Sequence, residues 1–411
     1  MERTTFQYRT AMSFLNRMII AFTLLTLSCG KNHHLPQNNY NLYNYSGFEM
    51  MARGNCLPFP LEEINVLHTI SVCQEEITNV SFGPDTSSII CLTSTNLFSV
   101  HILSGEVHQI TQLQYDKSDI MTVTRDCIIL GSIQNLQGFG ESQEYIFDCI
   151  TMEGSINWSI RALSEPVFYE NVFLIGGETQ DGYASLYRIN GGNLSLIKTF
   201  NIENRALVQL LPTQIGIIWL GFGEGPYLIK KSAQEYELTL FNSEWNDGAF
   251  RAVLDCNNRL SFLDDGGRVL VEISQGFSDP DIIPFADILG LESHAASDPI
   301  GVHEVASNGR KTLILYNHYI VSHDNDETRI MVSDFNNYGE RFSPLEFYIG
   351  SDALSYIITL DDGGILYGDS NIKELHFEGF RTTPLVFSGD LQRAAFGTRE
   401  GKIIILDLTT E

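Results

Sequence analysis

The sequence predicts an all-β fold: a β-propeller of four-stranded blades, eight by the first count with seven as the alternative, closed by an N-terminal strand. Three observations predict it. From Ile64 onward the apolar runs are short, β-branched or aromatic, and bounded by Gly, Asn, Asp or Ser, which is the composition of strands and turns. One such run recurs at about 44 residues, the length of four strands with their turns. The chain also stops one strand short of a full blade, while an unmatched strand stands before the first blade.

The chain opens on an address. Arg3, Arg9 and Arg17 stand against Glu2, Met18 to Leu27 is an apolar core, and Ser28-Cys29-Gly30 follows, so residues 1–28 read as a secretory signal peptide. The core is about half of the ~20 residues a membrane span needs. Met12 is an alternative start, because Met12 to Ser28 is already a complete short signal. Removal of residues 1–28 takes the net charge from −26 to −28. Leu25-Thr-Leu-Ser-Cys29 resembles the lipobox of bacterial lipoproteins, in which the cysteine thiol receives a diacylglyceryl group. Thr26 stands where that pattern has Leu, with Leu25 one position earlier, and plain cleavage after Ser28 is the rival reading. Residues 29–63 then read as the lipidated Cys29 and a flexible tether, since Gly30 to Asn55 is rich in Asn, Tyr and His and has no apolar period. The expected location is the periplasmic side of the bacterial outer membrane, or the soluble periplasm if Cys29 carries no lipid.

Residues 64–411 are the propeller. Cys127-Ile-Ile-Leu-Gly-Ser132, Val172-Phe-Leu-Ile-Gly-Gly177, Ile217-Ile-Trp-Leu-Gly221, Gly364-Ile-Leu-Tyr-Gly368 and Arg393-Ala-Ala-Phe-Gly397 are copies of one run. Looser copies are Ile89–Leu92, Leu260–Leu263 and Tyr319–Ser322. One unit reads as four strands a to d from the channel outward: Glu165–Glu170, Asn171–Gly177, Ala184–Ile189 and Leu194–Thr199. A single blade cannot bury both of its faces, and stacking between two others does. The end at Ile403–Glu411 follows a strand c, and the unmatched Ile64–Ile70 supplies the missing strand d, which removes an unpaired sheet edge. Only 29 residues separate Gly368 from Gly397, so one blade is expected to lose its outer strand.

Gly154-Ser-Ile-Asn-Trp158 and Ser104-Gly-Glu-Val107, each beside a strand, resemble the pyrroloquinoline-quinone-like propeller repeat, a WD-repeat-like unit. That repeat closes strand c with Asp and then carries Gly-x-x-x-Trp; Asp148, Asp334 and Asp407 stand near the Asp position, and Trp158 alone keeps the Trp. The resemblance covers roughly residues 64–411 and implies the fold, not an activity. Signal, lipobox, tether and propeller together resemble the propeller lipoprotein of the outer-membrane barrel-assembly machinery. That resemblance implies a scaffold for envelope protein partners, in outer-membrane protein assembly.

Several chemistries are excluded. Acids outnumber bases 51 to 25, so no field draws a nucleic-acid backbone or an anionic lipid surface, and membrane contact is expected through the lipid anchor only. Quinone-dependent enzymes of the resembling repeat carry adjacent cysteines, and none occur here. No His-Glu-x-x-His, EF-hand loop or Gly-x-Ser-x-Gly elbow is present, and Gly221-Phe-Gly-Glu-Gly225 lacks the Lys of a phosphate loop. No catalytic residue, metal ligand or cofactor is therefore nominated. The histidines, His101 and His108 among them, read as ordinary strand and turn residues. Cys56, Cys73, Cys91, Cys127, Cys149 and Cys256 make no Cys-x-x-Cys pair and read as small core residues, with a Cys127–Cys149 disulfide as a second reading.

What remains is a face for partners. Turns b–c and d–a emerge on the same side of the ring. The two longest irregular pieces are Ile133 to Ser142, with Glu141, and Leu289 to Lys311, with Glu292, His294, Asp298 and Glu304. Glu178, Asp181, Glu224, Asp264, Asp324, Asp326, Asp369 and Glu400 are also placed on b–c turns. For Asp324-Asn-Asp326-Glu327 a solvated turn is the first reading and a loosely held Ca²⁺ the second. The expectation is a non-catalytic protein-interaction scaffold whose candidate binding residues are Glu141, Glu292, His294, Asp298, Glu304, Asp324 and Asp326. The alternative is a ligand-binding or enzymatic propeller acting on glycans or small molecules through the channel, favoured by convergent acids and aromatics there and disfavoured by a plugged channel.

Overall fold

The computed structural model describes residues 54–409, apart from 62, 84–85, 114–119, 124–126, 135–143, 163–166, 170–171, 177–182, 191–192, 202–206, 214, 222–225, 233–234, 243–251, 265–267, 277–278, 292–303, 317–318, 325–326, 333–334, 336–343 and 370. Strand β1 (Asn65–Ser71) comes first. Blade 1 is β2 (Asn79–Phe82), β3 (Ser88–Leu92), β4 (Asn96–His101) and β5 (Val107–Gln112). Blade 2 is β6 (Ile120–Val123), β7 (Cys127–Gln134), β8 (Glu144–Thr151) and β9 (Ile156–Ala162). Blade 3 is β10 (Val167–Tyr169), β11 (Val172–Gly176), β12 (Tyr183–Asn190) and β13 (Asn193–Asn201). Blade 4 is β14 (Leu207–Thr213), β15 (Gly216–Gly221), β16 (Tyr227–Ser232) and β17 (Glu235–Leu240). Blade 5 is β18 (Val253–Leu254), β19 (Arg259–Asp264), β20 (Val269–Ser274) and β21 (Asp281–Ile283), followed by the one-turn helix α1 (Phe285–Ile288). Blade 6 is β22 (Glu304–Ser307), β23 (Thr312–Tyr316), β24 (Tyr319–Asp324) and β25 (Glu327–Val332). Blade 7 is β26 (Pro344–Ile349), β27 (Tyr356–Leu360), β28 (Ile365–Gly368) and β29 (Ile372–Glu374). Blade 8 is β30 (Val386–Phe387), β31 (Arg393–Gly397) and β32 (Lys402–Asp407), completed by β1.

All eight sheets have four strands in the order a-b-c-d, and the eighth reads β30-β31-β32-β1. Strand β1 pairs antiparallel with β32, from Asn65 opposite Asp407 to Ser71 opposite Lys402, with a bulge between Val66 and His68. The expected closure is thus the observed one, shifted by a residue.

The middle strands are buried on both faces, which explains why their sequences are continuous apolar runs rather than alternating ones. Every residue of β23 and β27 is buried, as are Ile403 to Leu406 of β32. Outer strands alternate or face solvent, as in β17 and β25. The apolar clusters follow the blade boundaries. Ile90, Leu97, Met121 and Ile128 join blades 1 and 2, and Leu186, Phe200, Ile217 and Trp219 join blades 3 and 4. Phe347, Tyr356, Leu313 and Ile320 join blades 6 and 7, while Ile70, Cys91, Ile403 and Val386 join blade 8 to blade 1. The core is a ring of interfaces, so no blade is stable alone.

Three expectations are corrected. Blade 7 does not lose its outer strand; β29 is present and three residues long. The runs Gly364–Gly368 and Tyr319–Ser322 are strands c, not strands b, whose places are taken by β27 and β23. Strands b and c are equally buried and apolar, so one passes for the other in sequence, and the slip produced the short 29-residue interval. Third, Cys127 and Cys149 are free thiols like the other described cysteines. They lie diagonally across the β7–β8 pair, where Ile129 faces Cys149, and their sulfhydryls hydrogen-bond to one another. In the resembling repeat motif, Gly154 sits at φ +88 in its c–d turn, and a Cβ there would lie 2.7 Å from the Ile110 carbonyl oxygen. Asp148 falls within β8 and accepts the Ser159 hydroxyl across the sheet. Asp407 ends β32 and takes the Thr409 N–H at 3.1 Å. Asp334 lies outside the described residues.

Candidate interaction faces of the ring

Connections on the a–b/c–d face are two to six residues long. On the b–c/d–a face they reach 11 residues between β29 and β30, 12 between β17 and β18, and 20, α1 included, between β21 and β22. Strands at fixed radius need only tight turns, so longer connections are additions to the scaffold and the usual carriers of recognition.

Of the candidate binding residues, Glu141, Glu292, His294, Asp298 and Asp326 lie outside the described residues, as does Cys29. Glu304 is not in a loop. It opens β22, is 5% exposed, and its charge bears on Tyr348 of blade 7. The span Leu289 to Lys311 therefore holds the strand β22, Glu304–Ser307. Asp324 ends β24 opposite Glu327, so it sits at a c–d hairpin, on the face opposite to the expected one. Asp369 also belongs to a c–d turn. Asp264 and Glu400 do stand at b–c turns. No group of His, Cys, Asp or Glu among the described residues is arranged to hold a metal ion.

On the b–c/d–a face, residues 375–385 form an ordered ledge over blades 7 and 8. The Phe380 N–H donates to Glu400 Oε2 (2.9 Å), which holds that carboxyl below its usual range. The Arg399 guanidinium stacks 4.5 Å from the Phe380 ring centroid, and Phe377 meets Phe396 edge-on at 4.7 Å. Beneath the ledge, Arg381 is 5% exposed. It donates to the Thr383 carbonyl (2.8 Å) and the Leu360 carbonyl (2.7 Å), tying blade 7 to blade 8, and stands 3.7 Å from Glu346 Oε2. The same carboxylate accepts Thr359 Oγ1 (2.9 Å) and the Leu385 N–H (3.2 Å), and Tyr348 donates to Oε1 (2.9 Å). Burial nevertheless pushes the Glu346 carboxyl above its ordinary value, against the pull of Arg381 and these donors. Removing one member of so buried a pair strands the other, so the cluster reads as structural.

The opposite face carries what the sequence reading missed. Residues 54–61 are not tether; they form a strap along the inner strands and a–b turns of blades 6 and 7. Ser307 N–H donates to the Gly54 carbonyl (2.7 Å), and Ile349 N–H to the Asn55 carbonyl (2.9 Å). Leu57 N–H returns to the Ile349 carbonyl (2.8 Å), Ser351 N–H reaches the Phe59 carbonyl (3.0 Å), and Leu61 N–H reaches Ser355 Oγ (2.8 Å). β22 and β26 are innermost strands whose other edges pair with β23 and β27, so the strap lies on their channel-side edges. Asn55, Leu57 and Leu61 are buried, whereas Pro58 and Pro60, which have no N–H to offer, face outward. The alternation Leu57-Pro-Phe-Pro-Leu61 was the available signal.

Under the strap's first residue lies a buried polar junction of blades 5 and 6. Arg259 bridges Asp255 (3.1 Å) and Glu272 (2.7 Å), Thr312 Oγ1 donates to Glu272 Oε1 (2.7 Å), and the Ser307 hydroxyl points at Asp255 (3.4 Å). Cys56 is half-buried, and burial, with Cys256 and Asp352 nearby, pushes its thiol up to about 12. It is no nucleophile at neutral pH.

No family model matches the chain, and no curated protein matches it. Solved propellers do. Sqt1 of Saccharomyces cerevisiae aligns with a TM-score of 0.56 at 10% identity, over 84% of this chain and 99% of that one. The Dos1 propeller aligns at 0.51 and 10% identity, over 88% and 98%. BamB from Moraxella catarrhalis aligns at 0.50 and 7% identity, over 84% and 100%. At such identities the likeness is one of fold.

Proposed function

We propose that the chain is an exported, lipid-anchored propeller that serves as a non-catalytic protein-interaction scaffold at the cell envelope, binding an envelope protein on its b–c/d–a face. Outer-membrane protein assembly is the setting that the architectural resemblance to the propeller lipoprotein suggests. The observation that carries the reading is the division between the faces. The chain enters the ring at Gly54 on the a–b/c–d face, where connections never exceed six residues, while the long connections leave from the other. A scaffold tied down from one side needs its recognition loops on the other. The Arg3-to-Ser28 signal and Cys29 support the anchor.

Two measurements test this. Cys29→Ala should move the protein from the membrane pellet to the soluble periplasm; unchanged partition, or a wild-type mass without acyl chains, refutes the anchor. Replacing residues 292–303 by a short Gly/Ser turn should leave circular dichroism unchanged, since loop length costs little entropy, and should deplete partners that co-purify from gently solubilised membranes. An unchanged partner set with an intact fold refutes this face.

A further inference from the structure

We propose that the channel-side edges of β22 and β26 form a docking site for a peptide that offers a glycine in a left-handed turn and, three residues on, a branched apolar residue, and that residues 54–57 are its built-in, displaceable occupant. The inference stands without the anchoring reading. On the ring side, Ser307 N–H, Ile349 N–H and the Ile349 carbonyl meet the backbone of residues 54–57, and the Val305 carbonyl accepts from the Asn55 side chain, so two donors and two acceptors stand open to a docked segment. Selectivity comes from space. A Cβ on residue 54 would stand 2.0 Å from the Ser307 carbonyl oxygen, a backbone atom with no room to move, so the first position takes only glycine. Leu57 is wholly buried in the cluster that contains Tyr348, Ile357 and Phe387, so the fourth position takes a branched apolar side chain.

The resident segment fits imperfectly, which makes it exchangeable. Gly54 and Asn55 are both left-handed, at φ +71 and +53, a conformation that glycine takes freely and that Asn takes more readily than other residues but less readily than glycine. Asn55 is 4% exposed, its Nδ2 reaches the Val305 carbonyl only at 3.4 Å, and its Oδ1 accepts no hydrogen bond. A partner segment that keeps the left-handed turn with glycine at both positions leaves no amide oxygen stranded and competes well against it, although the tethered strap acts at about millimolar effective concentration.

The test uses the full chain and a fluorescent peptide with the sequence of residues 53–62, carrying Ser in place of Cys56. Gly54→Ala dislodges the strap and leaves the ring edges intact, so it should bind the peptide at least tenfold more tightly than wild type. A peptide with Ala in place of Gly54 should bind neither. Should Gly54→Ala fail to fold, Leu57→Ala weakens the strap without touching the ring and carries the same expectation. Equal or absent binding to wild type and to a folded variant overturns the proposal, as does equal binding of the Ala-containing peptide.

Discussion

β1 and the strap are neighbours in sequence and close the ring at opposite radii by opposite means. β1 lies at the rim, pairs residue by residue with β32, and leaves Asn65 to Leu67 and Thr69 exposed, with Ile70 as its buried anchor. The strap lies at the hub, bridges a single ladder position at Ile349, and buries Asn55, Leu57 and Leu61. The rim closure is mainly backbone hydrogen bonding, and the hub closure is mainly side-chain burial and close approach. They should therefore fail under different substitutions.

Deleting Ile64–Ile70 should have the largest effect, a loss of several kcal/mol. It unpairs β32 and removes apolar side chains at about 1.5–3 kcal/mol for each one fully buried. A deletion variant melting at the wild-type temperature would remove β1 from the ring. Leu57→Ala should cost about 2–5 kcal/mol, the range for a fully buried leucine, whereas Thr69→Ala in exposed β1 should stay within about 0.5 kcal/mol. Equal effects in urea unfolding would erase the contrast. Ser355→Ala takes the acceptor from the Leu61 N–H and should cost about 1 kcal/mol. The last effect is a pH dependence at Glu346, beside the cluster that receives Leu57. Its carboxyl is raised in the fold, so the folded chain holds that proton more tightly than the unfolded chain does. Its stabilising contribution is complete below the unfolded value, about 4.3, and disappears as pH rises through the higher folded value. The wild-type melting temperature should rise relative to that of Glu346→Gln as pH falls from 8 to 5; parallel curves would contradict it.

The same contrast explains what the sequence disclosed. Strand runs, the spacing near 44 residues and the orphan strand all reflect regular pairing with period two, and regular pairing leaves a pattern. Phase within a blade is less legible, because β23 and β24 both carry a buried apolar run, so the sequence places Asp324 on the wrong turn and face. Glu304 looked like a loop acid because nothing local marks a buried glutamate; its burial comes from blade 7. The ledge around Arg381 was hidden by the same slip, which made its blade seem short. The strap was illegible because its bonds go to residues some 250 to 300 positions away, and two prolines disguise its alternation.

Amide hydrogen exchange on the full chain tests most directly whether one N-terminal segment closes the ring twice. The expected result is slow exchange at Ser307, Ile349, Leu57 and Leu61 in wild type, with all four accelerating together in Leu57→Ala while the amides of β32 stay protected. Exchange of Ser307 and Ile349 at the rate of an open turn in wild type, or loss of β32 protection along with the strap, would contradict it.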